Sequence, residues 1–392
     1  MRLLYLIDSL GRGGAESSLV ALAPAFLDRG LALEVAYLGE RDDLRRQLED
    51  AGVPVVSLAG PGGRPGWIRR ARRLIAARRP DLVHTTLFEA DIVGRCAARA
   101  AGVRVVSSLV TEIYGPDHRA DPRLHAARVA SAWAVDALTA RLVARFHAIS
   151  HHVADVMGPR LRIPRDRIDV VPRGRDPGRL GEPSSERRAR ARRAIGAGGT
   201  TPVVLAVARH EYQKGLDLLV DAFTTVVRTM PEARLVVAGR EGAQSADLRA
   251  AVARAGTARA VRFLGVRDDV ADLLCAADVF ACPSRWEGLS GAVVEAMAMG
   301  TPIVASDIPP VREALGGESN ARLVPHGRPD ALAQAVLATL NDPRDAQQRA
   351  RRARARFSKH FTIDAVADRM LEFYRRAATS APTRPPTGRG RA

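Results

Sequence analysis

The stretch that decides the fold is Ser284-Arg-Trp-Glu-Gly-Leu-Ser-Gly-Ala-Val-Val-Glu-Ala-Met-Ala-Met-Gly-Thr-Pro302. It lies between two apolar runs, residues 278–282 and 302–306, which have the length and composition of buried parallel strands. Ser290 is a good N-cap for a helix, and Gly300 is well placed to end that helix. The stretch therefore predicts a strand–loop–helix–strand unit.

The start of this predicted helix has the chemistry of an anion site. A helix N-terminus gathers free N–H groups and the positive end of the helix dipole, so it suits a phosphate group. Glu287 precedes the helix and Glu295 lies on its early turns. The two carboxylates can hold hydroxyl groups on either side of a bound diphosphate, a sugar on one side and a ribose on the other. The structural alternative is a sheet-covering helix with two solvent-facing glutamates.

Glu287, Glu295 and the tail Ala296-Met297-Ala298-x-Gly300-x-Pro302 together resemble the Glu-x7-Glu motif of the retaining family 4 glycosyltransferases. The resemblance implies an α/β fold of GT-B architecture, with two facing Rossmann-like doubly wound domains and an interdomain cleft. It also implies that Glu287 orients the donor sugar and that Glu295 binds the ribose. The amides of Leu289 and Ser290 would take the diphosphate.

A second motif follows the apolar run 203–208. Arg209, Lys214 and the following glycine resemble the Gly-Arg-x4-Lys-Gly loop of the same family, with Ala208 in place of the first glycine. The resemblance implies that Arg209 and Lys214 clamp the donor diphosphate. Fixed cations aimed at a departing diphosphate lower the barrier to its departure. Lys214 is one of only two lysines in an arginine-rich chain, and a compact ammonium is not interchangeable with a guanidinium. The structural alternative is a surface turn with two charges.

Four further donor-binding residues follow from the resemblance. Gly14, in a glycine-rich loop, would present its N–H to the diphosphate; this loop lacks the dinucleotide spacing G-x-G-x-x-G, so an NAD site is not indicated. Arg240 would line the pocket of the nucleotide base, and Val266 and Arg267 would grip the base through their backbone. The structural alternative for Gly14 is a tight turn between a strand and a helix.

The N-terminal half departs from the family pattern where the acceptor would bind. Thr86 stands where many members have a second histidine after His84, and residues 109–111 replace the usual active-site histidine. His84 and His118 are therefore candidates for contact with the sugar or the acceptor, although a lone histidine is more often structural or merely exposed. Arg173 replaces an asparagine in the segment that ends the first domain.

The chain length of 392 residues favours two domains. Residues 1–175 are predicted to form an acceptor-binding domain, and residues 201–356 a nucleotide-sugar donor domain. Residues 176–200, rich in Pro, Gly, Ser and Arg, are predicted to be a linker. A C-terminal helix at 357–376 would cross back to the first domain, and residues 377–392 have the composition of a disordered tail.

Composition narrows the class of protein. The three cysteines show neither metal-ligand spacing nor a disulfide pattern, and no run is apolar enough for a signal peptide or a membrane span. We therefore expect a cytoplasmic protein. The net charge of +17 and the basic helix at 67–79 would allow peripheral contact with an anionic membrane at its inner face, unless that helix only covers the sheet. Nucleic acid is not an expected partner, because basic and aromatic residues do not interleave.

The expected activity is that of a hexosyltransferase-type enzyme. It would move a sugar, with retention, from a UDP- or GDP-sugar to a glycan, lipid or small-molecule acceptor, in cell-envelope glycan, polysaccharide or glycolipid synthesis. No metal or other cofactor is expected, because the sequence has no Asp-x-Asp triplet and the cationic loop would replace the metal. Two alternatives remain: an epimerase or phosphorylase that acts on the sugar nucleotide, and a basic surface-binding protein on a nucleotide fold.

Overall fold

The computed structural model describes residues 1–119, 121 and 124–379, apart from the side chain of residue 117. These residues form two compact units. The first comprises residues 1–114, 124–174 and 363–379, and the second comprises 115–119, 121 and 175–362. The predicted first domain was continuous, whereas the residues around position 118 group with the second unit.

A seven-stranded parallel sheet forms the centre of the first unit, in the order β3-β2-β1-β4-β5-β6-β7. Its strands are β1 (Arg2–Ile7), β2 (Ala32–Tyr37), β3 (Val55–Ser57), β4 (Leu82–Thr86), β5 (Val105–Leu109), β6 (Arg145–Ala148) and β7 (Ile168–Val170). Its helices are α1 (Gly14–Asp28), α2 (Arg45–Asp50), α3 (Gly63–Arg78), α4 (Phe88–Ala101), α6 (Ala126–Ala140), α7 (His151–Arg160) and α17 (Ile363–Thr379). The continuous apolar run of β1 is buried, as expected for a parallel strand covered on both faces.

The last helix, α17, packs into the core of the first unit. Its residues Met370 and Tyr374 lie in one buried apolar cluster with Phe26 of α1. The helix begins at Ile363, six positions after the predicted start, because Phe357 is buried within the preceding helix of the second unit. The predicted tail overlaps the end of α17, and its residues 380–392 lie outside the described residues.

A six-stranded parallel sheet forms the centre of the second unit, in the order β10-β9-β8-β11-β12-β13. Its strands are β8 (Val203–Val207), β9 (Arg234–Ala238), β10 (Val261–Gly265), β11 (Val279–Cys282), β12 (Ile303–Ser306) and β13 (Arg322–Val324). Its helices are α5 (Pro116–Arg119), α8 (Pro177–Leu180), α9 (Ser185–Ala194), α10 (Leu216–Thr229), α11 (Ser245–Arg254), α12 (Val270–Ala276), α13 (Gly291–Met299), α14 (Pro309–Leu315), α15 (Pro329–Asn341) and α16 (Pro343–His360). The strand order reverses between β8 and β11, where open α/β sheets place their ligands.

The segment predicted as a linker, residues 176–200, is instead part of the second unit. Arg188 and Arg192 of α9 both form ion pairs with Asp278, ahead of β11. Arg192 is only 4% exposed and also donates to the backbone oxygen of Ala276 at 2.9 Å. The composition suggested solvent exposure, but guanidinium groups of this helix satisfy carboxylate and carbonyl groups at the sheet edge.

The basic helix α3 packs mainly against α4 and buries its apolar side. Ala71 and Ile75 are buried, whereas Arg69, Arg72 and Arg73 are exposed. The buried apolar side fits the structural alternative for this helix, and the basic face stays available to solvent. Contact with an anionic membrane stays a prediction. Among the described residues, none of the helices combines the length and apolar character that a membrane span requires.

Candidate functional site

The loops that leave β8 and β11 meet at the switch point of the second sheet. The ammonium nitrogen of Lys214 donates to Oε1 of Glu287 at 2.6 Å, and the hydroxyl of Ser284 donates to the same oxygen at 2.8 Å. Glu287 is 5% exposed. Two predicted catalytic residues, 73 positions apart in sequence, therefore form one buried ion pair.

Several contacts join these two loops into one assembly. The backbone N–H of Arg285 donates to the carbonyl of Gln213 at 2.8 Å, and the Gln213 amide donates to the carbonyl of Trp286 at 3.0 Å. The Arg285 guanidinium makes two hydrogen bonds to the carboxylate of Asp217, at 2.9 and 2.7 Å. It also lies 4.0 Å from the centre of the Tyr212 ring. These contacts hold the loop that carries Lys214 against the loop that carries Glu287.

The two loops also approach closely at Gly215, the residue before α10. Its φ angle is +62°, and a Cβ at this position would lie 2.2 Å from the backbone oxygen of Pro283. Any other residue would need both a strained backbone and a shift of the opposite chain. Gly215 therefore permits the contact that brings Lys214 to Glu287.

The thiol of Cys282 is buried below the Glu287 loop. Its sulfur lies 3.6 Å from the hydroxyl oxygen of Ser284 and 3.8 Å from that of Ser290. Burial, and then the nearby carboxylate of Glu287, raise the pKa of this thiol. The thiolate form is disfavoured at neutral pH, so Cys282 is a poor candidate for a nucleophile.

Helix α13 presents its N-terminus beside this pair. The hydroxyl of Ser290 accepts from the N–H of Val293 at 3.5 Å, which confirms the predicted N-cap. Gly300 has a φ angle of +65° and ends the helix, as predicted. Leu289 and Ser290, the predicted diphosphate contacts, are buried just before the first turn. Glu295 lies one turn further along the helix.

Four other predicted site residues, Arg209, Arg240, Val266 and Arg267, lie at the carboxyl ends of β8, β9 and β10. Arg209 is exposed and has no ion-pair partner in the part of the chain that the structure describes. Arg240 is exposed after β9, and Val266 is 51% exposed after β10. Arg267 is paired with Asp269 at 2.8 Å. Because these strands are neighbours, the four residues share one edge of the sheet with the Lys214–Glu287 pair.

His118 also belongs to the second unit. Its ring lies edge-on to the ring of Trp286, with the ring centres 6.4 Å apart. Trp286 directly precedes Glu287 in the sequence. The structure therefore places one of the two candidate histidines next to the Glu287 loop.

His84 lies in the first unit and is a core residue, 1% exposed. Its Nε2 is 2.7 Å from the hydroxyl of Ser108, and its Nδ1 is 2.8 Å from that of Tyr374. The Ser108 hydroxyl also lies 2.8 Å from Nδ1 of His147, and Nε2 of His147 donates to the Val171 carbonyl. Burial lowers the pKa of His84 well below its usual value and that of His147 to about 4, so both rings are neutral at pH 7.

This arrangement favours a structural role for His84 over contact with sugar. The cavity beside it measures about 30 Å³, enough for a water molecule but not for a sugar.

Gly14 also lies in the first unit, at the start of α1. A Cβ on Gly14 would lie 3.3 Å from a guanidinium nitrogen of Arg173, the residue that departs from the family pattern.

Two family models match the chain. "Glycosyltransferase Family 4" matches residues 12–179, and "Glycosyl transferases group 1" matches residues 201–342. The chain belongs to glycosyltransferase family 4. It is accordingly a glycosyltransferase, and the surface-binding alternative is set aside.

Several similar proteins align with most of the length of this family 4 enzyme. The D-inositol 3-phosphate glycosyltransferase of Jonesia denitrificans is 29% identical over 79% of this chain and 75% of its own. The 2-deoxystreptamine N-acetyl-D-glucosaminyltransferase of Streptomyces fradiae is 29% identical over 94% of this chain and 92% of its own. The crystal structure of Anabaena HepE in complex with UDP-glucose has a TM-score of 0.85 at 23% identity, covering 96% of this chain and 99% of that one. The likeness confirms the predicted GT-B fold.

One residue of the glycosyltransferase site was missed by the sequence reasoning. Nε of Arg175 donates to Oε1 of Glu295 at 2.6 Å, and the two side chains are 14% and 20% exposed. Arg175 directly follows the Arg173-Gly174 pair that departs from the family segment. The sequence reasoning did not identify it, because nothing in the sequence pattern distinguishes this arginine from the other arginines nearby.

Proposed function

We propose that this glycosyltransferase transfers a sugar, with retention, from a nucleoside diphosphate sugar to a hydroxyl group of an acceptor. The observation that carries the proposal is the buried Lys214–Glu287 ion pair at the switch point, beside the N-terminus of α13. A cation, a carboxylate and the amides of a helix N-terminus in one place suit a ligand with a sugar, a diphosphate and a ribose.

Each residue has a role that its surroundings support. Lys214 and Ser284 hold the carboxylate of Glu287 in one orientation, so that it can accept hydrogen bonds from hydroxyl groups of the donor sugar. Arg209 is exposed at the same sheet edge and would meet the diphosphate. The Leu289 and Ser290 amides would add hydrogen bonds to it. These fixed positive groups stabilise the charge that gathers on the leaving nucleotide.

The bond changes follow a front-face route. The acceptor oxygen bonds to the anomeric carbon as the bond from that carbon to the phosphate oxygen breaks. The proton of the acceptor hydroxyl passes to the departing phosphate oxygen on the same face, which retains the configuration. This route needs no enzymatic nucleophile, which agrees with the raised pKa of Cys282.

We also propose that transfer requires no metal ion, because Arg209 and Lys214 supply positive charge for the diphosphate. EDTA should then leave the rate unchanged, and a rate restored only by added Mg²⁺ or Mn²⁺ would contradict this part.

For the donor we propose a UDP-sugar, since HepE, which shares the fold, was solved with UDP-glucose. For the acceptor we propose a hydroxyl-rich ring in cell-envelope or small-molecule glycoside synthesis. The named relatives act on inositol 3-phosphate and on 2-deoxystreptamine, and these compounds head the acceptor panel. A lipopolysaccharide core fragment joins them, because a lipopolysaccharide core mannosyltransferase of Rhizobium meliloti is also similar.

The test is transfer from UDP- and GDP-sugars to this panel, with the anomeric configuration of the product read by NMR. We expect an α-configured donor to give an α-configured product, and Glu287→Gln to abolish transfer. An inverted product would overturn the retaining mechanism. Conversion of the sugar nucleotide without any acceptor would instead favour the epimerase or phosphorylase alternative.

A further inference from the structure

Arg175 is fixed at the point where the chain enters the second unit. Its backbone N–H donates to the carbonyl of Phe361 at 2.8 Å, and it forms an isolated parallel β-bridge with Thr362. Its side chain is 14% exposed, and its Nε donates to Glu295 at 2.6 Å. Both the backbone and the side chain are therefore anchored, so the guanidinium has a defined position.

That position is against the first turn of α13. A Cβ on Gly291, the first residue of the helix, would lie 2.1 Å from a terminal guanidinium nitrogen of Arg175. The absence of a side chain at Gly291 is what allows the guanidinium to lie there. The N–H groups of this turn have no partners within the helix. A guanidinium beside them strengthens the attraction for an anion at the same place.

We propose that Arg175 is a donor-binding residue that contacts the diphosphate and offsets the charge of Glu295 beside it. This inference rests on the proposed function, in which α13 holds the diphosphate. A carboxylate on the second turn would repel a diphosphate at the helix start, because like charges at close range raise each other's free energy. Arg175 offsets the charge of Glu295, and it leaves the carboxylate able to accept hydrogen bonds from the ribose hydroxyl groups.

The alternative is that Arg175 only fixes the chain at its entry to the unit. The two roles differ in their ligand dependence. A residue that contacts the diphosphate affects binding of the nucleotide far more than binding of the nucleoside, because only the nucleotide carries the charge. A residue that only fixes the fold affects both ligands alike.

The experiment measures binding of UDP and uridine by isothermal titration calorimetry, or of GDP and guanosine if the wild type binds GDP instead. The variants are Arg175→Gln, which removes the charge, and Arg175→Lys, which keeps it. The matched control is Arg322→Lys. Arg322 forms an ion pair with Asp345 at 2.8 Å at the amino end of β13, the opposite edge of the same sheet.

We expect Arg175→Gln to weaken UDP binding by about 10- to 100-fold, the range for loss of a hydrogen bond to a charged group, and uridine binding by less than about 3-fold. Arg175→Lys should recover part of the loss, and the control should bind as the wild type does. Equal weakening of UDP and uridine, or no change in either, would overturn the inference. Failure of the wild type to bind any nucleoside diphosphate would instead contradict the proposed function.

Discussion

The ion pair between Lys214 and Glu287 allows stability and activity to be separated by mutation. Lys214→Met removes the ammonium and leaves a carboxylate whose side chain is 6% exposed, with the Ser284 hydroxyl as its remaining side-chain donor among the described residues. Breaking a buried pair by removing one partner costs about 3–5 kcal/mol. We expect about 3 kcal/mol here, since the Lys214 side chain keeps 18% of its surface exposed.

For a unit of this size, about 3 kcal/mol corresponds to a fall in melting temperature of about 6–12 °C. The double variant Lys214→Met with Glu287→Gln removes both charges, and the hydroxyl of Ser284 can still donate to the new amide oxygen. We therefore expect the cost of the double variant to be smaller, by about 2 kcal/mol, than the sum of the two single costs. All three variants should lose at least about 100-fold in transfer rate, because a group that stabilises the leaving charge is absent or disordered.

The assay is urea denaturation of the four proteins, together with initial rates of transfer. Lys359→Met is the matched control, since Lys359 is the other lysine and is exposed on α16; its cost should stay within about 0.5 kcal/mol. Additive costs within about 0.5 kcal/mol would refute the buried pair. A double variant that regains stability and also regains activity would refute the catalytic role of the pair.

Three further perturbations test other parts of the structure. Burial raises the pKa of Asp8 to about 7, so the free-energy cost of its ionisation in the folded state is absent well below the unfolded value of 3.8 and fully present above pH 7. Asp8→Asn should therefore raise the melting temperature at pH 8 and leave it nearly unchanged at pH 4; an equal gain at both pH values would contradict the shift. Arg285→Lys breaks the paired hydrogen bonds to Asp217 that hold the two loops, and we expect kcat to fall about 10- to 100-fold with little change in KM; a change confined to KM would argue against a positioning role. Gly215→Ala should destabilise the second unit by at least about 1–3 kcal/mol in urea denaturation, because of the positive φ and the nearby oxygen of Pro283, and a neutral result would show that the loops do not approach so closely.

The strand–loop–helix–strand unit was predictable because each local signal agreed with the others. Apolar runs gave β11 and β12, the N-cap serine gave the start of α13, and Gly300 gave its end. The family motif then placed Glu287 at the exit of a central strand. These features depend on residues that are close in sequence, so no knowledge of distant contacts was needed.

The contacts that complete the site were not predictable in this way. Arg175 and Glu295 are 120 positions apart, and Lys214 and Glu287 are 73 apart. Composition also misled at 176–200, because arginines that bond to carbonyl groups and to Asp278 resemble solvent-exposed arginines in sequence. The structural role of His84 was not predictable either, because it depends on hydrogen bonds with Ser108 and with Tyr374 from the far end of the chain.

The most direct test of the donor site is thermal stability with UDP, GDP and ADP, for the wild type and for Glu295→Ala. A nucleotide at about 100 times its dissociation constant should add about 2.7 kcal/mol of apparent stability. We predict a rise in melting temperature with UDP that is much smaller in the variant. A folded wild type that responds to none of the three nucleotides, or a variant that responds as strongly as the wild type, would contradict a donor site built on α13.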